Sequence, residues 1–135
     1  MPAPVELLER VPLFEGLSRK QLETLAGDFT LRTFEEGQEL TTEGQGAAGF
    51  FILESGEAKV TVDGEERRTL KAGDYFGEIA LIDEGKRTAT ITATKAGRAH
   101  GLTVWQFRPL VESNASIAWP LLEAMAKRVR QLEQR

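Results

Sequence analysis

The residues best placed to do chemistry run from Gly73 to Ile91: Gly73-Asp74-Tyr75-Phe76-Gly77-Glu78-Ile79-Ala80-Leu81-Ile82, a short loop, then Arg87-Thr88-Ala89-Thr90-Ile91. Gly77 permits a sharp turn and a close approach of backbone to a ligand. Residues 78–82 can make one helical turn whose first N–H groups point at an anion. Arg87 follows Glu78 by nine residues and can return to the same spot across the intervening loop. A guanidinium there can pair with a phosphate through two hydrogen bonds and keep its charge. Glu78 has a different use. An ionised carboxylate only accepts hydrogen bonds, so it suits a ribose hydroxyl and repels further phosphate. One Arg, one helical turn and one Glu fit a small, singly charged sugar phosphate and fit a triphosphate poorly.

Other motifs point elsewhere and lack their context. Gly44-Gln45-Gly46-Ala47-Ala48-Gly49 matches G-x-G-x-x-G, but a dinucleotide loop needs a helix after it. Here the β run Phe50-Phe51-Ile52-Leu53 follows. Phe51 also stands where a kinase glycine-rich loop carries Val, so the segment reads as a turn. Ala80 to Lys86 approaches a P-loop, but Ala80 replaces its first Gly and Arg87 the hydroxyl that would hold Mg²⁺. His100 has no His partner and reads as structural or exposed, not catalytic. With no Cys and one His, thiolate catalysis, disulfides and Cys- or His-cluster metal sites are excluded. Glu35-Glu36 and Glu65-Glu66 lie in turn-like stretches and read as solvated.

The composition sets the class. Seventeen basic against 21 acidic residues give a net charge of −4, which suits solubility and opposes a surface built for nucleic acid. No apolar run approaches the roughly 20 residues of a membrane span. Met1 to Arg10 carries Glu6 and Glu9 and lacks a signal-peptide pattern. The expectation is a soluble cytoplasmic chain of 135 residues, long enough for one domain.

The elements that must position the segment follow from period and punctuation. Residues 1–28 read as two short helices around a Pro12-Leu13-Phe14 elbow, the second opened by a Ser18/Gln21 capping box. From 29 to 103 the texture is β: Phe29 to Phe34, Gly49 to Leu53, Ala58 to Val62, Thr88 to Thr94 and Ala99 to Val104, with Asp63-Gly64 as a tight hairpin turn. Many short strands with turn signals indicate a sandwich or barrel. Helical period returns over 104–135. Thr103 and Gln106 form a second capping box, with Phe107, Leu110 and Val111 as the buried stripe. A last helix from about Ser116 carries Leu121, Leu122, Met125, Val129 and Leu132. Pro120 is expected in its first turn, because an interior Pro costs about 3 kcal/mol.

Phe76-Gly77-Glu78-Ile79-Ala80-Leu81 and Arg87-Thr88-Ala89-Thr90-Ile91 closely resemble the phosphate-binding cassette of the cyclic nucleotide-binding domain family, which includes the bacterial catabolite activator protein and kinase regulatory subunits. The resemblance covers the chain from the Val11-Pro12-Leu13-Phe14 lead-in to the closing helices. It implies an α+β, mainly β fold: an eight-stranded antiparallel jelly-roll barrel over 29–103, with the cassette at 76–91, N-terminal helices and two C-terminal helices. It also implies a non-catalytic regulatory or sensor module without cofactor, whose ligand is cAMP or cGMP, cAMP ahead of cGMP.

Carried over residue by residue, Glu78 accepts the ribose 2′-hydroxyl and Arg87 binds an equatorial phosphate oxygen. Backbone N–H groups of Ile79, Ala80 and Ala89 add phosphate contacts. Gly77, beside Phe76, lies near the ribose, and Val60 and Leu70 line the base pocket. An apolar lid falls near Leu132. Thr88 supplies a hydroxyl compatible with either nucleotide. The helix-turn-helix of the activator is not matched within 135 residues, so the partners implied are a cyclic nucleotide and an effector protein, without direct DNA or membrane binding. The stripe of the last helix leaves room for a homodimer. The rival reading is an empty cassette on a domain that docks or dimerises. A weaker one is an enzyme using the Gly44 to Gly49 loop.

Overall fold

The computed structural model of the chain describes residues 3–41, 49–77, 80–83 and 89–134. Its elements run α1 (Val5–Leu8), a 3-10 turn (Pro12–Phe14), α2 (Arg19–Ala26), β1 (Thr30–Phe34), β2 (Glu39–Thr41), β3 (Phe50–Leu53), β4 (Glu57–Val62), β5 (Glu65–Leu70), β6 (Tyr75–Phe76), α3 (Ala80–Asp83), β7 (Thr90–Lys95), β8 (Gly97–Leu102), α4 (Val104–Ser113) and α5 (Ala115–Glu133).

Local chemistry sets most of the boundaries. The Ser18 hydroxyl accepts from the Gln21 N–H at 3.2 Å while the Gln21 side chain accepts from the Ser18 N–H at 2.8 Å, which starts α2. Thr103 and Gln106 make the same reciprocal pair at the start of α4. Both capping boxes satisfy N–H groups that a helix start leaves open. Asp63 and Gly64 both take positive φ, 53° and 77°, the backbone of a two-residue hairpin turn matched to strand twist. Glu65 and Glu66 stand in β5, opposite Val62 and Thr61. They are exposed, but they are strand residues and not part of a turn. Their side chains face water from an edge strand, which is why composition disguised the strand.

The eight strands form two four-stranded antiparallel sheets, ordered β1-β8-β3-β6 and β2-β7-β4-β5. This is the expected jelly roll, with its two sheets stacked and no ladder joining them among the described residues. Two apolar layers result. Between the sheets lie Phe34, Phe51, Leu53, Ala58, Val60, Leu70, Ala89 and Ile91. On the outer face of the first sheet, Phe50, Ile52 and Leu102 pack with Leu8, Phe14, Leu25 and Phe29 of the N-terminal segment and with Phe107, Ile117 and Leu121 of the closing helices. In α4 only Phe107 of the expected stripe is fully buried; Leu110 and Val111 are half-buried at its edge.

Pro120 is the sixth residue of α5 and lies inside it, not in the first turn. An interior Pro removes the N–H that would bond the carbonyl four residues back. That carbonyl belongs to Ser116, and Nε2 of Gln21 donates to it at 3.2 Å and to the Ser116 hydroxyl at 3.3 Å. The capping residue of α2 thus supplies the hydrogen bond that Pro120 withholds. Gly16 admits the ring, since a Cβ there would stand 3.0 Å from Pro120 Cβ. Lys127 adds a second tie to the N-terminal segment, 3.4 Å from a Glu15 carboxylate oxygen.

His100 is a core residue, so the structural alternative holds. Its ring is buried, its Nε2 lies 2.8 Å from Glu54 Oε1, and its Nδ1 has no hydrogen-bond partner. The hydrogen bond from His100 holds the Glu54 carboxyl below its ordinary value of 4.5, with Arg98 adding to the effect and burial opposing it. A carboxylate with a depressed folded-state pKa stabilises the fold above its unfolded pKa. That contribution is lost as pH falls below about 4.5. Urea unfolding at stepwise lower pH should therefore show stability falling over this window, and Glu54→Gln should flatten the slope. An identical slope in the variant would remove Glu54 from the account.

Candidate functional site

The cassette sequence links the two sheets along the chain. Its entry strand, β6, belongs to the first sheet, where Phe76 pairs with Phe51 and Tyr75 with Ile52. Its exit strand, β7, belongs to the second. The entry is built by a turn over residues 71–74. Gly73 takes φ +92°, the Asp74 carboxylate accepts from the Lys71 N–H at 2.8 Å, and the Gly73 N–H donates to the Leu53 carbonyl at 2.7 Å. Gly77 then takes φ +90°, a conformation that excludes most side chains. Gly77 stands where the chain leaves β6, and residues 78 and 79, which would complete a turn there, lie outside the described residues.

The site residues expected from the sequence divide into three groups. Val60 and Leu70 are buried with their side chains between the sheets, and Ala89 is buried at the far end of the cassette. These three share one apolar cluster with Phe51 and Phe34, and Phe76 packs half-buried against it. Ala80 opens α3. Glu78, Ile79, Arg87 and Thr88 lie outside the described residues, as do residues 42–48 of the glycine-rich loop. Leu132 is 55% exposed on α5. Ala124, Met125, Lys127, Arg128 and Gln131 of α5 share a cleft of about 260 Å³ with Tyr75 and with Pro12 and Leu13 of the 3-10 turn.

Three features of the site carried no signal in the sequence. The buried Thr41 hydroxyl donates to the Ala89 carbonyl at 3.4 Å and fastens the cassette exit to β2. A lone Thr at the end of a three-residue strand looks like any other. Leu81 of α3 is buried in the outer layer with Phe107 and Leu121, so the cassette helix is seated on the closing helices. The Arg32 guanidinium lies 5.2 Å from the centroid of the Phe51 ring, a distance within cation–π range. Gly101 makes room for that ring, since a Cβ there would meet it at 3.1 Å. Among the described residues no group of His, Asp and Glu side chains could hold a metal ion. No described helix is long and apolar enough to cross a membrane.

The cassette sequence thus joins a strand of one sheet to a strand of the other, beside an apolar cluster that includes Val60, Leu70 and Ala89. The chain belongs to the cyclic nucleotide-binding domain family, whose model matches residues 31–114. It is 43% identical over 88 residues to the cAMP-dependent protein kinase regulatory subunit of Yarrowia lipolytica, covering 64% of this chain and 24% of that protein. It is 41% identical over 88 residues to the cGMP-dependent protein kinase of Toxoplasma gondii, covering 65% of this chain and 9% of that one. The chain therefore spans a quarter or less of these relatives. Among solved structures, the N-terminal domain of a transcriptional regulator from Streptomyces coelicolor A3(2) superposes with a TM-score of 0.86 at 28% identity, covering 95% of both chains.

Proposed function

We propose that residues 1–135 form one cyclic nucleotide-binding domain that acts as a non-catalytic sensor, with cAMP preferred over cGMP. The observation that carries this reading is the cassette sequence, Phe76-Gly77-Glu78-Ile79-Ala80-Leu81 with Arg87-Thr88-Ala89, in a chain whose Val60, Leu70 and Ala89 share one apolar cluster. Glu78 accepts the ribose hydroxyl. Arg87 neutralises the single phosphate charge, and N–H groups of Ile79, Ala80 and Ala89 complete its shell. The base lies along the wall formed by Val60 and Leu70. Thr88 bonds the phosphate with either nucleotide, and the relatives named for each leave the choice between them to measurement.

The signal leaves through α3. Leu81 is packed among residues of α4 and α5, so a ligand that draws in the start of α3 biases the position of those helices. The output is a shift between two arrangements, set by the difference in their contacts with the nucleotide. An effector protein reads that shift, and the exposed face of α3, α4 and α5 is where an effector or a second copy must dock. The reading carries a cytoplasmic location, with neither membrane nor DNA as a direct partner.

Thermal unfolding of nucleotide-free protein tests the reading. A ligand bound only by the folded state at 100 times its Kd stabilises by about 2.7 kcal/mol. cAMP is expected to raise Tm progressively with concentration, cGMP less, and 5′-AMP, with its extra negative charge, not at all. A Tm that none of the three moves would favour the empty-cassette reading.

A further inference from the structure

Four strands form the edges of the two sheets: β1 and β6 of the first, β2 and β5 of the second. Three of these edges are blunted. β6 is two residues long. β2 is three residues long, with a register shift against β7. β5 has a register shift against β4 and carries four consecutive charges of both signs, Glu65 to Arg68. The edge at β1 is regular. Thr30 to Phe34 pair with Gly101 to Gly97 residue for residue, without a shift. The strand holds no Pro, Gly or carboxylate, and four of its five residues are exposed or half-buried. Among the described residues its backbone bonds to β8 alone. Such an edge presents a row of unpaired N–H and C=O groups, the template to which an extended segment adds as a further strand.

The charge on β1 selects the segment. The chain as a whole is acidic, at −4, yet the one charged residue of β1 is Arg32. Its guanidinium rests against the Phe51 ring, 5.2 Å from the centroid, and meets no carboxylate among the described residues. A guanidinium held at a ring still has N–H donors to offer. Beside it lies a hollow of about 210 Å³ lined by Thr30, Phe51, Gly101 and Gln106. Thr30 and Arg32 stand on one face of the strand, because residues two apart do. In an added strand the residue opposite Arg32 shares that face, with Cβ atoms about 5 Å apart. A carboxylate at that position meets the guanidinium at the hollow. The same charge disfavours a second copy as the occupant. Two β1 strands joined antiparallel in full register set Arg32 against Arg32, and like charges directly opposite are destabilising.

We propose that β1 is a docking edge for an extended acidic segment of a partner protein, which adds to the first sheet as a strand and places a Glu or Asp opposite Arg32. The proposal is independent of nucleotide binding, and its test is run without nucleotide. The isotope-labelled full chain is titrated with the peptide Ser-Thr-Val-Glu-Val-Thr-Ser and followed by NMR. Saturable shifts are expected in the amides of β1 and β8. Lys in place of the peptide's Glu should raise Kd roughly tenfold, since an attractive pair becomes a repulsive one. Arg32→Glu should reverse the preference, so that the Lys peptide binds more tightly than the Glu peptide. Arg32 is exposed, and circular dichroism checks that the variant is folded. Alternate residues of a strand bond to a given neighbour. Methylating the peptide's Val nitrogens, or instead its Thr and Glu nitrogens, should therefore abolish binding in one case and spare it in the other. The absence of saturable shifts, or shifts that avoid β1, overturns the proposal. Binding that survives both methylations overturns strand addition. Equal affinity for the Glu and Lys peptides, or a variant that keeps the parent's preference, overturns the pairing with Arg32.

Discussion

Arg87→Ala is expected to weaken cyclic nucleotide binding by about 2–5 kcal/mol, roughly a 30- to 4,000-fold rise in Kd. The ligand reading gives Arg87 the only guanidinium in the cassette segment from Gly73 to Ile91, set against a phosphate that carries one charge. Removing it leaves that charge without its guanidinium partner, and an ion that loses its partner away from bulk water is strongly destabilised. Arg87→Lys should recover only part of the loss. An ammonium restores the charge but not the planar fork that meets two oxygens at once. The alanine variant should keep the parent Tm in the absence of nucleotide, which separates a binding role from a structural one. Calorimetric titration of both variants is the check. An affinity unchanged in Arg87→Ala removes Arg87 from the site.

Phe50→Ala is expected to destabilise the fold by about 3–5 kcal/mol. Phe50 is fully buried, at 0% exposure, and stands at the centre of the outer layer. Its ring meets Phe14 and Phe29 edge-on at 5.9 Å each and Tyr75 at 6.2 Å. It thus joins the 3-10 turn, the segment after α2 and the cassette entry strand across a single side chain. Truncation opens a cavity that none of these backbones can easily close, and aromatic edge contacts are lost with the buried area. The consequence reaches the site, because Tyr75 precedes Phe76 and Gly77. Urea unfolding measures the loss, and nucleotide titration of the folded fraction should show weakened binding. A midpoint within error of the parent would contradict the assignment of Phe50 as the hub of that layer.

What the sequence made legible, and what it hid, follows from which effects are local. The two capping boxes and the Asp63-Gly64 turn depend on neighbouring residues, and each appears where residue type places it, as does the positive φ of Gly77. The strand β3, Phe50-Phe51-Ile52-Leu53, is apolar on both faces and equally plain, whereas β8 (Gly97–Leu102) carries two Gly and an Arg and starts two residues before the expected Ala99. β2 and β6 are three and two residues long, too short for any alternation to register. β5 is acidic and basic for four residues because it is an edge facing solvent, so its composition resembles a turn. Pro120 was misplaced for an instructive reason. The cost of an interior Pro is a local rule, and its remedy, the Gln21 side chain donating to the Ser116 carbonyl, lies 95 positions away.

The site divides along the same line. The cassette motif and its glycine are consecutive in the chain and so are readable. Val60 and Leu70 are apolar residues in strands, and only the pairing of Ala58 with Leu70 and of Val60 with Ile91 brings them into one cluster. Thr41, which fastens Ala89, and Leu81, which seats α3 on α4 and α5, act through tertiary contacts that no spacing reveals. The residues that could recognise a ligand were visible first. Those that hold them in place became visible only with the fold.

The central claim is that this domain binds a cyclic nucleotide, and calorimetric titration of the nucleotide-free chain tests it most directly. The account predicts a saturable heat with cAMP at micromolar or lower concentration, one nucleotide per chain, and weaker binding of cGMP. No heat from either nucleotide, with the protein folded and at concentrations well above that range, would contradict it.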